Sequence, residues 1–328
     1  MQKIVKEFHQ LLSDKKYNSV VITTHQNADP DGFCSAYVLK KALARIFNID
    51  AIIAVDDVNT VTQQIADFFK IAYTNHIDEK PDLAIVVDAN NFVILGKIAK
   101  YIQNVQTIIV IDHHEILGND NVIPAALNII DPKSIATCEI IYRLLHESGY
   151  NFEEDEASCL LAGILYDSKR FFYITDNIFS IASKLLSTSI EYTKILQLLS
   201  TSSDISEKIA RLKAAQRAKI HRFGKWVIVE SYVSSYEASA CRGLIDLGAD
   251  VAIVLAERKN EIRLSIRTTP QFHEETKINV GTDLLMPLGS LVDGIGGGHA
   301  TAGGLNGRKN GREAVERILN ILKSRLSK

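Results

Sequence analysis

Four short, unbroken apolar runs constrain this chain more than any other feature. Residues 19–24, 51–55, 83–87 and 107–111 are rich in Val and Ile and do not alternate with polar residues. That is the pattern of strands buried on both faces. Stretches with helical apolar spacing, 32–46, 61–69 and 93–101, lie between them. A helix between successive strands is the crossover that parallel pairing requires, so the pattern predicts a parallel sheet in an α/β fold. Two more helices are expected over 136–146 and 156–166.

The texture changes after residue 178. From 178 to about 220 the spacing is helical, with no convincing strand. Residues 226–233, 251–257 and 261–267 then read as strands, the last two joined by a tight turn at Lys259-Asn260. A glycine cluster, Gly294-Ile295-Gly296-Gly297-Gly298-His299, precedes a last helix over 312–326. A length of 328 residues suits two domains. The expected division is an N-terminal domain over 1–185, a helical connection over 186–220 and a smaller α/β domain over 221–328. With 46% hydrophobic and 23% charged residues, disorder, collagen and coiled coil are poor readings. No apolar run approaches the ~18 residues of a membrane span. The first residues carry no signal-peptide core, and Cys34, Cys138, Cys159 and Cys241 are scattered, which predicts a cytoplasmic protein without a disulfide framework or zinc knuckle.

The chemistry gathers where the expected strands end. His25-Gln26-Asn27-Ala28-Asp29-Pro30-Asp31-Gly32 follows the first strand and opens a helix. Asp88 follows the run 83–87, Asp112-His113-His114 follows 107–111, and Asp167 closes the helix expected over 156–166. Taken singly, each Asp is as well read as a helix cap or a solvated loop residue, and His25 as an exposed side chain. Parallel strands, however, bring their carboxyl ends to one edge, where open α/β folds place their sites. His25, Asp29, Asp31, Asp88, His113 and Asp167 are together too many for one closed tetrahedral zinc site. They suit two octahedral ions sharing one carboxylate, with positions left for water and substrate. A carboxylate-rich set with some imidazole points to Mn²⁺ or Mg²⁺ more than to Zn²⁺.

In the second half, Arg263, Ser265 and Arg267 fall on one face of an alternating strand, and the glycine-rich turn ends in His299. Glycines let a backbone approach a phosphate, and a guanidinium binds it through two parallel hydrogen bonds. Alone, the same residues also fit a solvated face and a flexible loop. The dinucleotide fingerprint G-x-G-x-x-G is not met, because His299 stands where the third glycine belongs, so an NAD site is rejected.

These motifs, in this order, resemble those of DHH-family phosphoesterases with the DHH-associated C-terminal domain, the nano-RNase and pAp-phosphatase-like group of the RecJ superfamily. Asp112-His113-His114 is the name-giving triplet. His25, Asp29 and Asp31 match the first motif, Asp88 the second, Asp167 the fourth, and Gly297-Gly298-His299 the C-terminal signature. The resemblance implies an N-terminal parallel-sheet domain holding two Mn²⁺ ions, with Mg²⁺ or Co²⁺ as substitutes. It implies that His25 and Asp29 bind one ion, that Asp31, His113 and Asp167 bind the other, and that Asp88 bridges them. It also implies that Asp112 orients a ligand or a water, that His114 faces the substrate phosphate, and that Arg267 and His299, with Gly297 and Gly298, hold the nucleotide or its terminal phosphate.

The implied activity is manganese-dependent hydrolysis of short RNA or DNA oligonucleotides to mononucleotides, removal of a phosphate from 3′-phosphoadenosine 5′-phosphate, or both. The implied chemistry is in-line attack on phosphorus by a water activated between the two ions. The partner is then a short oligonucleotide or a nucleotide bisphosphate, with no membrane, and the resemblance is compatible with a homodimer. A formal charge of −2 and 7% aromatic residues argue against a long basic, base-stacking track. A RecJ-like single-strand exonuclease is therefore the second reading and a cyclic dinucleotide phosphodiesterase the third. A catalytically inactive binding protein of the same fold comes last, because every ligand position is filled. Manganese pyrophosphatases share the N-terminal motifs but lack the Gly-Gly-His signature, which places them low.

Overall fold

The computed structural model describes residues 2–116, 121–200, 204–259 and 261–326. The chain divides into two compact units, Met1–Thr201 and Ser202–Lys328, each built on its own sheet.

The first unit begins with α1 (Gln2–Ser13), a helix outside the expected set that buries Phe8 and Leu12. There follow β1 (Val20–Thr23), α2 (Pro30–Phe47), β2 (Ala51–Ile53), α3 (Thr60–Phe69) and β3 (Leu83–Val87). A 3₁₀ stretch over Phe92–Ile98 runs into the short α4 (Ala99–Ile102), followed by β4 (Thr107–Asp112) and β5 (Leu127–Ile130). The unit closes with α5 (Thr137–Glu147), α6 (Glu154–Asp167), α7 (Ile178–Leu186) and α8 (Tyr192–Leu198). All five strands are parallel, in the order β2-β1-β3-β4-β5.

The missing alternation has a direct structural cause. Val20, Ile22, Leu83, Ile85, Val87, Ile109 and Ile111 enter one core with α2, α5 and α6. Their neighbours Val21, Ala84, Val86, Ile108 and Val110 enter a second core with α4 on the opposite face. Strand β5 escaped expectation because Asn128 interrupts its apolar run and only Ile129 is buried there. The strand order reverses between β1 and β3: the chain leaves β1 outward to β2 and returns to β3 on the other side. Such a switch point opens a crevice at the carboxyl ends of those two strands.

The second unit runs α9 (Ile205–Gln216), β6 (Lys219–Phe223), β7 (Trp226–Val233), α10 (Glu237–Asp246), β8 (Val251–Arg258) and β9 (Glu261–Thr268). It continues with α11 (Pro270–Thr276), a π-helical turn over Val280–Leu285, β10 (Ile295–Gly298), β11 (Ala302–Gly307) and α12 (Gly311–Leu326). The sheet order is β10-β11-β9-β8-β7-β6. Only β7 and β8, joined through α10, pair in parallel. Ile253, Leu255, Leu264, Ile266 and Leu305 pack with Phe272, Ile318 and Leu322. Val229, Ala252 and Val254 pack with Ala214 and Cys241 on the other face.

Two expectations are corrected. The stretch to residue 220 is not free of strand: β6 begins at Lys219, and its side chains are largely exposed, so it carries no apolar run. The glycine-rich turn is in part strand: Gly297 pairs with Gly304 and Gly298 with Gly303 across a hairpin. Strands β8 and β9 pair as far as Arg258 and Glu261; Asn260 of the expected turn lies outside the described residues. The expected helical connection contains α8 of the first unit and α9 of the second. Among the described residues, no helix is long and apolar enough to cross a membrane, and all four cysteines are buried and free.

Candidate metal centre

The first motif is shaped by the start of α2. Asp29 is its N-cap, accepting hydrogen bonds from the backbone N–H of Asp31 and Gly32 at 3.0 and 3.1 Å, and Pro30 pre-sets the first turn. A Cβ on Gly32 would lie 2.1 Å from Thr24 Oγ1, so only glycine lets the helix begin this close to β1. Asp31 is completely buried, and its carboxylate meets the N-terminus of α5. Thr137 N–H donates to Oδ2 at 2.6 Å and Cys138 N–H to Oδ1 at 2.9 Å. A helix N-terminus stabilises an anion placed there. Asp88 leaves β3 in the left-handed region (φ 56°), and its Oδ1 accepts from Thr137 Oγ1 at 2.9 Å. Asp and Asn enter that region more readily than bulkier residues.

Both inner histidines use one ring nitrogen for support. His25 Nδ1 lies 2.9 Å from the carbonyl of Gln26 and His113 Nδ1 3.4 Å from that of Ser134. The proton is assigned to Nδ1 on that basis, which leaves Nε2 as the ligating atom. His25 Nε2 stands 3.6 Å from Asp29 Oδ1 and 3.5 Å from Asp88 Oδ2. His113 Nε2 stands 3.2 Å from Asp167 Oδ2, 3.5 Å from Asp88 Oδ1 and 4.0 Å from Asp31 Oδ2. It is buried and lacks the alignment of a hydrogen bond to any of them. Three donor groups result, His25–Asp29–Asp88, Asp31–His113–Asp167 and Asp88–His113–His114, with donor atoms within 4.8 Å of one another in each. All six side chains proposed from the sequence as ligands thus converge, joined by His114.

The electrostatics of this cluster call for cations. Burial, and then the neighbouring Asp88, Asp167 and Asp29, push the Asp31 carboxyl well above its usual range. Burial and nearby Asp29 and Asp88 likewise raise Asp167, against the pull of His113. Burial alone would lower His25, but Asp29 and Asp88 outweigh it and push the imidazole up to about 11. His113 rises in the same way, opposed by burial and driven by Asp167 and Asp88. Asp29 is the exception: burial would raise it, but His25 and the N–H groups of Gly32 and Asp31 bring it below the ordinary value. Crowded carboxylates that hold protons this tightly, beside an unpartnered buried Nε2, fit hard divalent cations with mixed oxygen and imidazole ligands.

Asp112 stands in none of the three donor groups. It is fully buried, its Oδ1 accepts from His114 N–H at 3.1 Å and lies 2.9 Å from His114 Nδ1, and its Oδ2 accepts from Asn90 Nδ2 at 2.8 Å. His114, with a side chain 57% exposed, is thereby oriented with Nε2 available to a ligand, and its hydrogen bond to Asp112 raises its pKa despite burial. Sequence reasoning missed Asn90 and Thr137. Asn90 lies two residues beyond Asp88, and Thr137 opens α5, a usual place for a hydroxyl. It also missed the turn after Asp167, where Lys169, Arg170 and Phe171 have φ of 49°, 61° and 64° without a glycine. Left-handed backbone costs about 1–2 kcal/mol per residue.

The remaining site residues belong to the second unit. Arg267, on β9, pairs with Ala252 and Ala302, and its Nε is buried without a hydrogen-bond partner. Arg263, on the same face, is engaged by Glu261 at 2.7 Å. A Cβ on Gly297 would meet nothing within 4 Å, whereas Gly298 has φ 147° and its Cβ would lie 2.4 Å from the Ala302 carbonyl. His299 follows with an exposed side chain, its N–H donating to the Ala302 carbonyl at 2.7 Å.

A buried carboxylate–imidazole cluster at the switch point of a parallel sheet is suited to holding divalent cations. Residues 19–164 match the family described as the DHH family, N-terminal domain. An uncharacterized protein of Methanocaldococcus jannaschii is 31% identical over 329 residues, spanning 95% of each chain. The manganese-dependent inorganic pyrophosphatase of Bacillus subtilis is 25% identical over 277 residues, 80% of this chain and 86% of that one. The crystal structure of an exopolyphosphatase-related protein from Bacteroides fragilis shares the fold, with a TM-score of 0.61 at 19% identity over 100% of this chain and 98% of that one. The chain belongs to the DHH family, and it is a phosphoester hydrolase that uses divalent metal.

Proposed function

We propose that the protein is a cytoplasmic, manganese-dependent phosphoesterase that hydrolyses short oligonucleotides to mononucleotides, 3′-phosphoadenosine 5′-phosphate, or both. The observation that carries this reading is Asp88, whose Oδ2 lies 3.5 Å from His25 Nε2 and whose Oδ1 lies 3.5 Å from His113 Nε2. One carboxylate thereby belongs to two donor groups. In this reading His25 and Asp29 hold one Mn²⁺, Asp31, His113 and Asp167 hold the other, and Asp88 serves both. When bound, such ions supply Lewis acidity, making a water nucleophilic near neutral pH and neutralising phosphoryl charge. Thr137 holds Asp31 through its N–H and Asp88 through its hydroxyl, so both carboxylates keep their orientation. Asn90 and Asp112 fix His114, which donates from Nε2 toward the oxygen on which negative charge develops. Arg267 and His299 bind a phosphate of the nucleotide, and Gly297 and Gly298 admit it close to the backbone.

The near-neutral charge of −2 and the small aromatic share of 7% support a short substrate. The likeness to a manganese-dependent pyrophosphatase supports manganese, and it makes inorganic pyrophosphate the second reading. The test is Mn²⁺-dependent hydrolysis across a dinucleotide, a five-nucleotide RNA, long single-stranded DNA, 3′-phosphoadenosine 5′-phosphate, a cyclic dinucleotide and pyrophosphate, with Asp88→Ala as control. Preference for the dinucleotide or the bisphosphate is expected. Preference for pyrophosphate, for the long strand or for the cyclic dinucleotide would overturn the substrate assignment, and no hydrolysis of any would overturn the enzymatic one.

A further inference from the structure

We infer that the turn leaving Asp167 recognises the nucleobase of the substrate, with the ring of Phe172 as a stacking platform and Lys169 and Arg170 as flanking cations. The inference rests on the nucleotide-phosphoesterase reading above and assigns a specificity element to it. The turn starts from a donor residue, since Asp167 Oδ2 lies 3.2 Å from His113 Nε2. The next residue, Ser168, is fully buried and holds the backbone that follows. Its Oγ accepts from Phe171 N–H at 2.9 Å, its carbonyl accepts from Tyr173 N–H at 3.0 Å, and Arg170 N–H donates to the Leu165 carbonyl at 2.7 Å. Three successive left-handed residues are held in place by these bonds. Strain of this kind persists where surrounding structure enforces it, often beside a functional site.

The turn sets Phe171 partly inward, its ring 5.4 Å from that of Phe179, and Phe172 outward, 77% exposed. Tyr173 already has partners: the Lys169 ammonium lies 5.1 Å from its ring, and Phe172 meets it edge-on at 5.0 Å and 87°. Among the described residues no ring other than that of Tyr173 contacts Phe172, and the residue is largely open to solvent. Aromatic faces stack on any base and are sequence-tolerant. The two exposed cations on the same turn, Lys169 and Arg170, complement the charge of a phosphorylated ligand.

The test compares the native protein, Phe172→Ala and Phe172→Trp, each loaded with metal. Phe172→Ala is expected to raise the KM for a dinucleotide about tenfold with kcat little changed, the scale of one lost stacking contact. It is expected to leave inhibition by inorganic phosphate unchanged, and Phe172→Trp is expected to restore the native KM. Binding is read separately: Phe172→Trp fluorescence should be quenched by the dinucleotide and not by phosphate, with the native Trp226 signal as baseline. Quenching without turnover would keep this inference and sink the proposed activity. An unchanged KM, an equal weakening toward phosphate or an absence of quenching would overturn it. So would loss of an oligomer in sedimentation on Phe172→Ala with KM unaffected, which would make the ring a self-association contact.

Discussion

The two units carry polar groups of opposite charge. In the first, Asp31, Asp88 and Asp167 crowd around His113 Nε2, and burial together with the neighbouring carboxylates raises the Asp31 and Asp167 carboxyls. In the second, the guanidinium of Arg267 has a buried Nε with no hydrogen-bond partner, and the glycine hairpin leaves open space at Gly297. The first is built deep, from carboxylates clamped by the N–H groups of α5. The second lies on a mixed sheet and ends in an exposed histidine. The contrast separates two tasks: rigid, buried donors suit cations that stay, and shallower cationic side chains suit an anion that comes and goes.

The largest effect should follow from breaking the first region at its shared residue. Asp88→Ala removes an oxygen from each of two donor groups, and turnover should fall by at least about 10²–10³-fold, the scale of losing a principal electrostatic stabiliser. Metal bound per chain should fall with it. Near-normal turnover in Mn²⁺ would refute the shared-carboxylate arrangement.

Removing the cations tests the same region through stability. Without them, Asp31, Asp167, His113 and His25 all titrate above their ordinary values, His25 at about 11. The folded chain then binds these protons more tightly than the unfolded one. The stability that these four groups contribute is therefore fully present at acid pH and is lost as pH rises through the raised values. Bound cations need the same atoms deprotonated, so their stabilisation grows with pH. The melting temperature gained from Mn²⁺ should reach about 5–10 °C near pH ~8, the scale set by saturating a site at ~100 Kd, and shrink toward pH ~5. A gain independent of pH would mean that the ions bind elsewhere.

The second region should respond more weakly and in a different parameter. Arg267→Ala removes a charge-assisted contact to phosphate, and KM should rise by roughly 10–100-fold with a smaller change in kcat. Asp88→Ala should act mainly on kcat. If Arg267→Ala lowered kcat with KM intact, the division of labour between the regions would be wrong.

How much of this was legible beforehand follows the same division. The doubly buried strands announced themselves, because a strand flanked by two cores must be apolar at every position, and their topology brought the donors together. The edge strand β2 was legible from its apolar run, although Ile52 is exposed and the strand is not buried on both faces, whereas β5 and β6 were hidden, since an edge carries Asn128 or exposed side chains at no cost. Glycine composition read as a turn where Gly297 and Gly298 form half of a hairpin, because glycine marks close backbone approach as readily as a bend. Asn90 and Thr137 could not be singled out, because an amide or a hydroxyl acquires its role only when the fold sets a carboxylate against it. The turn at 169–171 gave no signal at all: Lys, Arg and Phe do not advertise positive φ.

The smallest expected effect is the most discriminating for the hairpin. Gly298→Ala would place a Cβ 2.4 Å from the Ala302 carbonyl at φ 147°, and should destabilise by more than the ~1 kcal/mol of an ordinary substitution. Gly297→Ala meets open space, and by restricting the unfolded chain it should leave stability unchanged or raise it by about 0.4–1 kcal/mol. Any change in substrate affinity there would therefore come from the substrate. If the nucleotide's phosphate approaches the backbone at this position, the added methyl should raise KM a few-fold in a protein that melts no lower than the native one. If KM does not move, glycine is needed at 298 for pairing and at 297 for nothing the substrate feels, and phosphate binding in the second unit rests on Arg267 and His299 alone.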